Sequence, residues 1–284
     1  MSLLVIQVLN GISYGMLLFL LAAGLTLTFG LLRIVNLTHG SYYMLGGYVG
    51  YATIRYTGSF LAGILASVLV VSVIALAMQL FLLERFAKNE RAQVLLTFGC
   101  LFLIGDLSLW IFGGTPLRIP TPYPLDGSVD VLGRPFPAYR FVLIAIGLLV
   151  ALLLWWFHDH TRVGTWVRGA VHNRDIAQAL GVNVPYLTTG VFVLGAALAA
   201  IAGVVGGPLV GMYPGGDIEI LGLTIAIIIL GGVGSFGGAF AAAILVGLLD
   251  TAGRILFPDF ALFAIFGPML LMLAFRPGGL AGQT

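Results

Sequence analysis

The chain has 284 residues, of which 60% are hydrophobic and only 8% charged, with 40 glycines and a formal net charge of +2. Soluble domains carry about 25% charged residues, so this composition excludes a solvated globular surface and sets the chain among integral membrane proteins. The mean hydropathy of +1.09 agrees, and the lack of an alternating strand pattern argues against a β-barrel.

In chain order, apolar stretches at residues 11–32, 61–83, 94–112, 141–157 and 187–210 approach or exceed the roughly 20 residues that cross hydrocarbon as a helix. The first is longer than the roughly 7–15-residue core of a signal peptide, and no basic residue precedes it, so it is read as a retained span. Two shorter apolar runs follow at residues 218–230 and 239–250. Both fall below the roughly 17 residues of a full span; a broken pair, tilted helices extended by glycines and re-entrant segments all fit them. The expected fold is all-α: one polytopic membrane domain over residues 1–284, with about eight or nine transmembrane helices and a cytoplasmic C-terminus.

Basic residues mark the cytoplasmic loops of such proteins. Here Arg85, Lys88 and Arg91 cluster together, as do Arg162, Arg168 and Arg174, and Arg33 and Arg276 sit beside span ends. Residues 114–139 then form an external loop, rich in proline and balancing Arg118 and Arg134 against Asp126 and Asp130. Arg140 and Arg254 fall on the other side of this scheme. Cys100 is the one cysteine, which excludes an intrachain disulfide.

The run GGVGSFGG at residues 231–238 contains a formal GxGxxG at Gly232, Gly234 and Gly237. A dinucleotide site requires that motif between a strand and a helix, whereas both flanks here read as membrane segments. A glycine-lined bend or close helix contact is the better reading, because glycine tolerates positive φ and lets backbones approach. A P-loop requires GxxxxGK[ST], and the one lysine, Lys88, has no glycine near it. If the chain transports uphill with ATP, the ATPase is a separate subunit. Ionisable residues within spans are few: Asp106 lies in LFLIGDLSLW and Asp250 ends a run, while Glu84, Asp217 and Glu219 read as interface positions. They form no proton relay. No span carries a nucleophile with a base or a set of metal ligands, so no catalytic or metal residue is assigned.

The polar island HDHTRVGTWVRGAVHNRDIAQALGVNVP, residues 158–185, separates two apolar stretches. Within it NRDIAQALG reads as a short helix with Asn173 as N-cap, Asp175 in the first turn, Gly181 as terminator and Pro185 beyond. At about 10 Å it is too short to span. Its exposed face combines charge with Ala177 and Ala179, which suits insertion into a partner's groove; a surface helix that only joins two spans is the plainer reading. His158 and His160 bracket Asp159 at an interface and read as a solvated end.

VNLTHGSYY puts Asn36, His39, Ser41 and Tyr42 at the start of the second span. Such polar density entering lipid points to residues lining a pathway. Alternatively they satisfy a helix start, with Asn36 or Thr38 as the cap. His39 has no second ligand at metal spacing beside it.

Four blocks together resemble the permeases of branched-chain amino acid ABC transporters, the LivH-type branch of the hydrophobic amino acid uptake family. They are NGISYGMLLFLLAAGLTLTFGLLRIVNLTHGSYYMLGGY from Asn10, RGAVHNRDIAQALGVNV from Arg168, LGGVGSFGGAFAAAILVGL from Leu230 and FRPGGLAG from Phe275. The resemblance implies a non-catalytic transporter subunit of the inner membrane that binds no cofactor of its own. It implies four kinds of partner: a second related permease or a second copy, two cytoplasmic ATPases that hydrolyse the ATP, a periplasmic substrate-binding protein, and membrane lipid; nucleic acid is not among them. The segment matching Ala170 to Gly181 would be the coupling helix, giving Arg168, Ala170, Arg174, Asp175, Ala177, Ala179 and Gly181 as docking residues. The pathway residues are taken as Asn36, His39, Ser41, Tyr42, Asp106 and Glu219. In this family a glutamate often follows the glycine of the HG pair, where Ser41 stands here. That departure widens the expected substrates from branched-chain and hydrophobic amino acids to small amides, urea or organic acids. The alternative function is a stand-alone ion-coupled carrier or channel.

Overall fold

A computed structural model describes residues 2–32, 35–87, 89–256, 258–276 and 278–281. Arg33 and Lys88 of the basic clusters, and Pro277 and Gly282 of the C-terminal block, lie outside the described residues.

The architecture is helical apart from a two-stranded hairpin. In chain order it comprises α1 (Ser2–Leu32), α2 (His39–Thr57), α3 (Phe60–Met78), α4 (Glu90–Phe112), β1 (Ser128–Asp130), β2 (Pro135–Pro137), α5 (Ala138–His160), α6 (Arg162–His172), α7 (Arg174–Ala179), α8 (Val184–Gly206), α9 (Gly216–Gly231), α10 (Phe236–Leu256) and α11 (Ala261–Phe275). A π turn at Gln79–Leu83 and a 3-10 turn at Glu84–Phe86 prolong α3. Among the described residues, six helices are long and apolar enough to cross a membrane: α1, α3 with its extension, α4, α5, α8 and α10. The protein is a multi-pass membrane protein. The helices α2, α9 and α11 complete the bundle with 19, 16 and 15 residues.

The packing of α3 is inverted relative to a water-soluble helix, as expected where lipid is the solvent. On α3 the large residues Leu61, Leu65, Leu69 and Val73 are exposed, while Gly63, Ser67, Val71 and Ala75 face inward. Lipid tails solvate leucine as well as another helix does, so small residues that permit close backbone approach drive association. The central helix α1 illustrates this. A Cβ on Gly247 of α10 would lie 2.3 Å from the Gly11 carbonyl oxygen of α1, and one on Gly24 would lie 2.6 Å from that of Gly195 in α8.

Side-chain bonds fix which elements share an end. Arg134 of the hairpin donates to Ser2 Oγ, and Arg140 of α5 donates to Asn10 Oδ1 of α1. At the opposite end, the His158 ring of α5 packs edge-on against Phe236 at the start of α10. There Val167 and Ala170 of α6 and Ala177 of α7 join the buried core of the bundle. The glycine-rich motif is the turn between α9 and α10, with Gly232 and Gly234 at φ +94° and +80°. Its flanks are helices, so the geometry is that of a tight helix reversal. The C-terminal block docks on it: Leu280 and Ala281 N–H groups donate to the Leu230 and Gly231 carbonyls at 2.8 and 3.1 Å, satisfying the end of α9.

Two helices begin inside the bundle. His39 Nε2 at the start of α2 lies 3.0 Å from the Leu21 carbonyl of α1, which is about 16 Å along the helix axis from Leu32 at 1.5 Å per residue. The loop after α8 turns back through paired backbone bonds between Leu117 and Met212, and α9 starts where it ends. The N-termini of α2 and α9 meet so closely that a Cβ on Gly40 would lie 2.2 Å from the Asp217 carbonyl oxygen. This mid-bundle start explains the short 218–230 apolar run. The 239–250 run, by contrast, belongs to a 21-residue helix, because Phe236, Gly237 and Gly238 before it and the residues through Leu256 after it stay helical.

Candidate functional site

The meeting point of α2 and α9 concentrates the unusual chemistry. Asp217, in the first turn of α9, is only 3% exposed, which corrects its reading as an interface residue. Ser41 Oγ lies 3.2 Å from both Asp217 Oδ2 and the Leu101 carbonyl of α4, sharing its one proton between them. A carboxylate at this position also sits at the favourable positive end of the α9 dipole. Asp217 borders a cavity of about 120 Å³ shared with Tyr48, Gly105, Asp106 and Gly215. A Cβ on Gly105 would lie 3.6 Å from Asp217 Oδ2, so the absence of a side chain there leaves the carboxylate reachable from α4.

The sequence-named residues separate around this point. Asn36, His39, Ser41 and Tyr42 are all buried, at most 2% exposed. Asn36 Oδ1 accepts from the Thr38 N–H at 3.1 Å, whereas the Thr38 hydroxyl donates to the Thr97 carbonyl at 2.8 Å and does not cap α2. The Tyr42 hydroxyl points to Met78 Sδ, 3.1 Å away, with its ring edge-on to Phe192. His39 and Tyr42 thus lock α2 against α1, α3 and α8, and Ser41 is the member of the group that reaches Asp217. Asp106 lies on the exposed side of α4 and lines the same cavity. Glu219 belongs to a separate hollow with Tyr14 and Tyr43, where it accepts the Tyr213 hydroxyl proton. Asp217 and Tyr48 were missed as site residues from sequence. The available signal was the acidic residue directly after a glycine pair at the start of an apolar run.

At the opposite end the polar island folds as two helices. Thr161 caps α6 and Asn173 caps α7, its Oδ1 accepting from the Ile176 N–H at 3.0 Å. Gly181 has φ +89°, and the Val182 N–H closes back on the Ala177 carbonyl at 3.0 Å, the six-to-one bond of a Schellman end. Ala170 and Ala177 are 6% and 5% exposed, buried against the bundle, so the exposed-face reading of Ala177 is corrected: it anchors the segment. The outer face instead combines Arg174, Asp175 and Ala179 with the exposed apolar residues Trp166, Ile176 and Leu180. Arg168 turns toward Asp159, 3.7 Å away, and donates to Thr165. A cleft of about 850 Å³ opens beside this face, lined by Trp155, His158, Ser235 and Gly278 among others.

Residues 7–273 match the family described as branched-chain amino acid transport system / permease component. The chain is similar to the high-affinity branched-chain amino acid transport system permease protein BraD of Pseudomonas aeruginosa, at 26% identity over 98% of this chain and 95% of that one. It is similar to the high-affinity branched-chain amino acid transport system permease protein LivH of Escherichia coli, at 25% identity over the same shares. A xylose/arabinose import permease, XylH of Sulfolobus acidocaldarius, matches at 28% identity over 72% of this chain and 57% of its own. The match covers both the mid-bundle site and the α6–α7 segment, and the chain belongs to the branched-chain amino acid transport system permease family.

Proposed function

We propose that this chain is the membrane-spanning permease subunit of an ATP-driven ABC importer of the inner membrane. Two separate cytoplasmic ATPases drive it by alternating access, a second permease completes the pathway, and a periplasmic binding protein delivers the solute. The chain itself binds no cofactor. The observation that carries this reading is the α6–α7 segment. Its inner face is packed into the bundle through Val167, Ala170 and Ala177, while Trp166, Ile176 and Leu180 stand exposed beside Arg174 and Asp175. A segment anchored this way transmits a push from a docked partner as a rigid movement of the spans. Free energy then enters through contacts that differ between the two states of the ATPases. With this end cytoplasmic, the hairpin end with residues 114–139 is external.

Asp106 supports a pathway along the α4 face. An exposed carboxylate on a spanning helix is costly against lipid and belongs against water or protein, so this face of α4 borders the route shared with the second permease. The transported solutes are branched-chain or hydrophobic amino acids or related small polar solutes. Affinity purification of the tagged chain in mild detergent, with mass spectrometry and an ATPase assay of the eluate, tests the reading. Recovery of two ATPases and a second permease supports it. A lone polypeptide that moves solute in liposomes without ATP overturns it in favour of an ion-coupled carrier.

A further inference from the structure

We propose that the cavity between α2, α4 and α9 is a recognition subsite for the N–H-donor end of a small solute, an ammonium or a primary amide. This deepens the permease reading and rests on it. The lining offers acceptors at several points: the Asp217 carboxylate, the Asp106 carboxylate and the Tyr48 hydroxyl. Tyr48 is 1% exposed, and its ring stacks on Phe112 with centroids 4.8 Å apart. Its hydroxyl makes no hydrogen bond among the described residues and is not sealed away from the cavity, so it is free to bond a guest there. Ser41 uses its proton on Asp217 and Leu101, which orients the carboxylate while leaving acceptor capacity on the cavity side.

The chemistry of this lining selects by charge. An ammonium presents three donors and no acceptor, enough for the two carboxylates and the hydroxyl at once, and an amide NH2 presents two, enough for two of these three acceptors. A carboxylate in the same place would face two like charges, so organic acids are excluded from this end of the site. About 120 Å³ is well below the roughly 300–1,000 Å³ of sites that enclose whole ligands. The cavity therefore accommodates a head group, and the remainder of the solute lies along the exposed face of α4.

The test uses the full chain in its assembled complex, in membranes, carrying Cys100→Ala and Gly105→Cys. The new Cβ meets Asp217 Oδ2 at an ordinary contact distance of 3.6 Å. Labelling rates are measured with a cationic and an anionic methanethiosulfonate of similar size, each divided by its rate with a free thiol. The expected result is a cation preference of about tenfold or more, an electrostatic difference of about 1.4 kcal/mol. That preference falls severalfold in Asp217→Asn and in Asp106→Asn and is unchanged in Asp126→Asn, which removes a charge from the loop before the hairpin. Methylammonium and acetamide at millimolar concentration slow the labelling, and acetate does not. Protection by either nitrogen probe supports the proposal, and the pair tells ammonium from amide recognition. Equal rates for the two reagents, protection by acetate, or no labelling at all would overturn it. If Asp217→Asn fails to insert, Tyr48→Phe carries the test through loss of protection. ATPase copurification is read on the same membranes: its loss counts against the importer reading and leaves the charge preference to be judged separately.

Discussion

Replacing Gly40 by alanine probes the junction on which the mid-bundle site depends. The added Cβ would lie 2.2 Å from the Asp217 carbonyl oxygen, and ordinary contacts begin near 3.4 Å, so the two helix starts must part by 3.4 − 2.2, about 1.2 Å. The obstructing atom is backbone in the first turn of α9, so no rotamer change relieves it. Overpacking of this kind costs about 1–3 kcal/mol, and a backbone clash belongs in the upper half of that range. The same shift carries Ser41 Oγ from 3.2 Å to as much as about 4.4 Å from Asp217, beyond hydrogen-bond reach. The control is Gly222→Ala in the same helix α9, where an added Cβ meets nothing within 4 Å. There alanine should stabilise the helix by about 0.5–1 kcal/mol. Heating each variant in detergent and following the folded fraction by size-exclusion chromatography should place the Gly40→Ala midpoint clearly below the Gly222→Ala midpoint, with solute uptake reduced as well. A Gly40→Ala protein as stable as Gly222→Ala would refute the close approach of α2 and α9.

Four further outcomes are expected. Gly181→Val should reduce ATPase copurification while leaving membrane insertion intact, because φ +89° costs a β-branched residue about 1–2 kcal/mol; Gly181→Asn, which tolerates that conformation, should restore docking. Asn173→Ala should weaken docking more mildly, since losing the 3.0 Å cap to Ile176 costs about 1 kcal/mol in a six-residue helix; unchanged copurification would count against the cap. Gly279→Val combines φ +74° with a Cβ 2.6 Å from the Gly232 nitrogen, so it should release the C-terminal segment and raise the rate of limited proteolysis at the α9–α10 turn. Asp106→Asn should lower solute uptake severalfold at unchanged recovery of the assembled complex, and full uptake would remove this carboxylate from the pathway.

Much of the fold was legible because membrane helices advertise themselves. The 94–112 and 141–157 runs lie within α4 and α5, α4 being prolonged at its start and α5 at both ends because polar and aromatic residues there continue the helix into the interface. Local capping chemistry was equally readable: Asn173, Asp175 and Gly181 are nearest-neighbour signals, and α7 forms where they place it. Ala177 was misread because the face a short helix presents is set by what it packs against, and α7 packs on both α6 and α8.

The class of solvent, the run of helices and the polar segment between α5 and α8 could be read from the chain alone, since each depends on composition or on residues a few positions apart, and the family could be read from four blocks compared without any fold. Where α2 and α9 begin became visible only in the packed bundle. That depends on contacts between residues far apart in the chain, such as Ser41 with Asp217 and His39 with the Leu21 carbonyl. The same contacts turned Asp217 from a boundary residue into a buried carboxylate. A charged residue near the end of an apolar run reads as a boundary until a second broken helix meets it inside the bundle. Depth in the membrane is a property of the whole packing, and no local pattern encodes it.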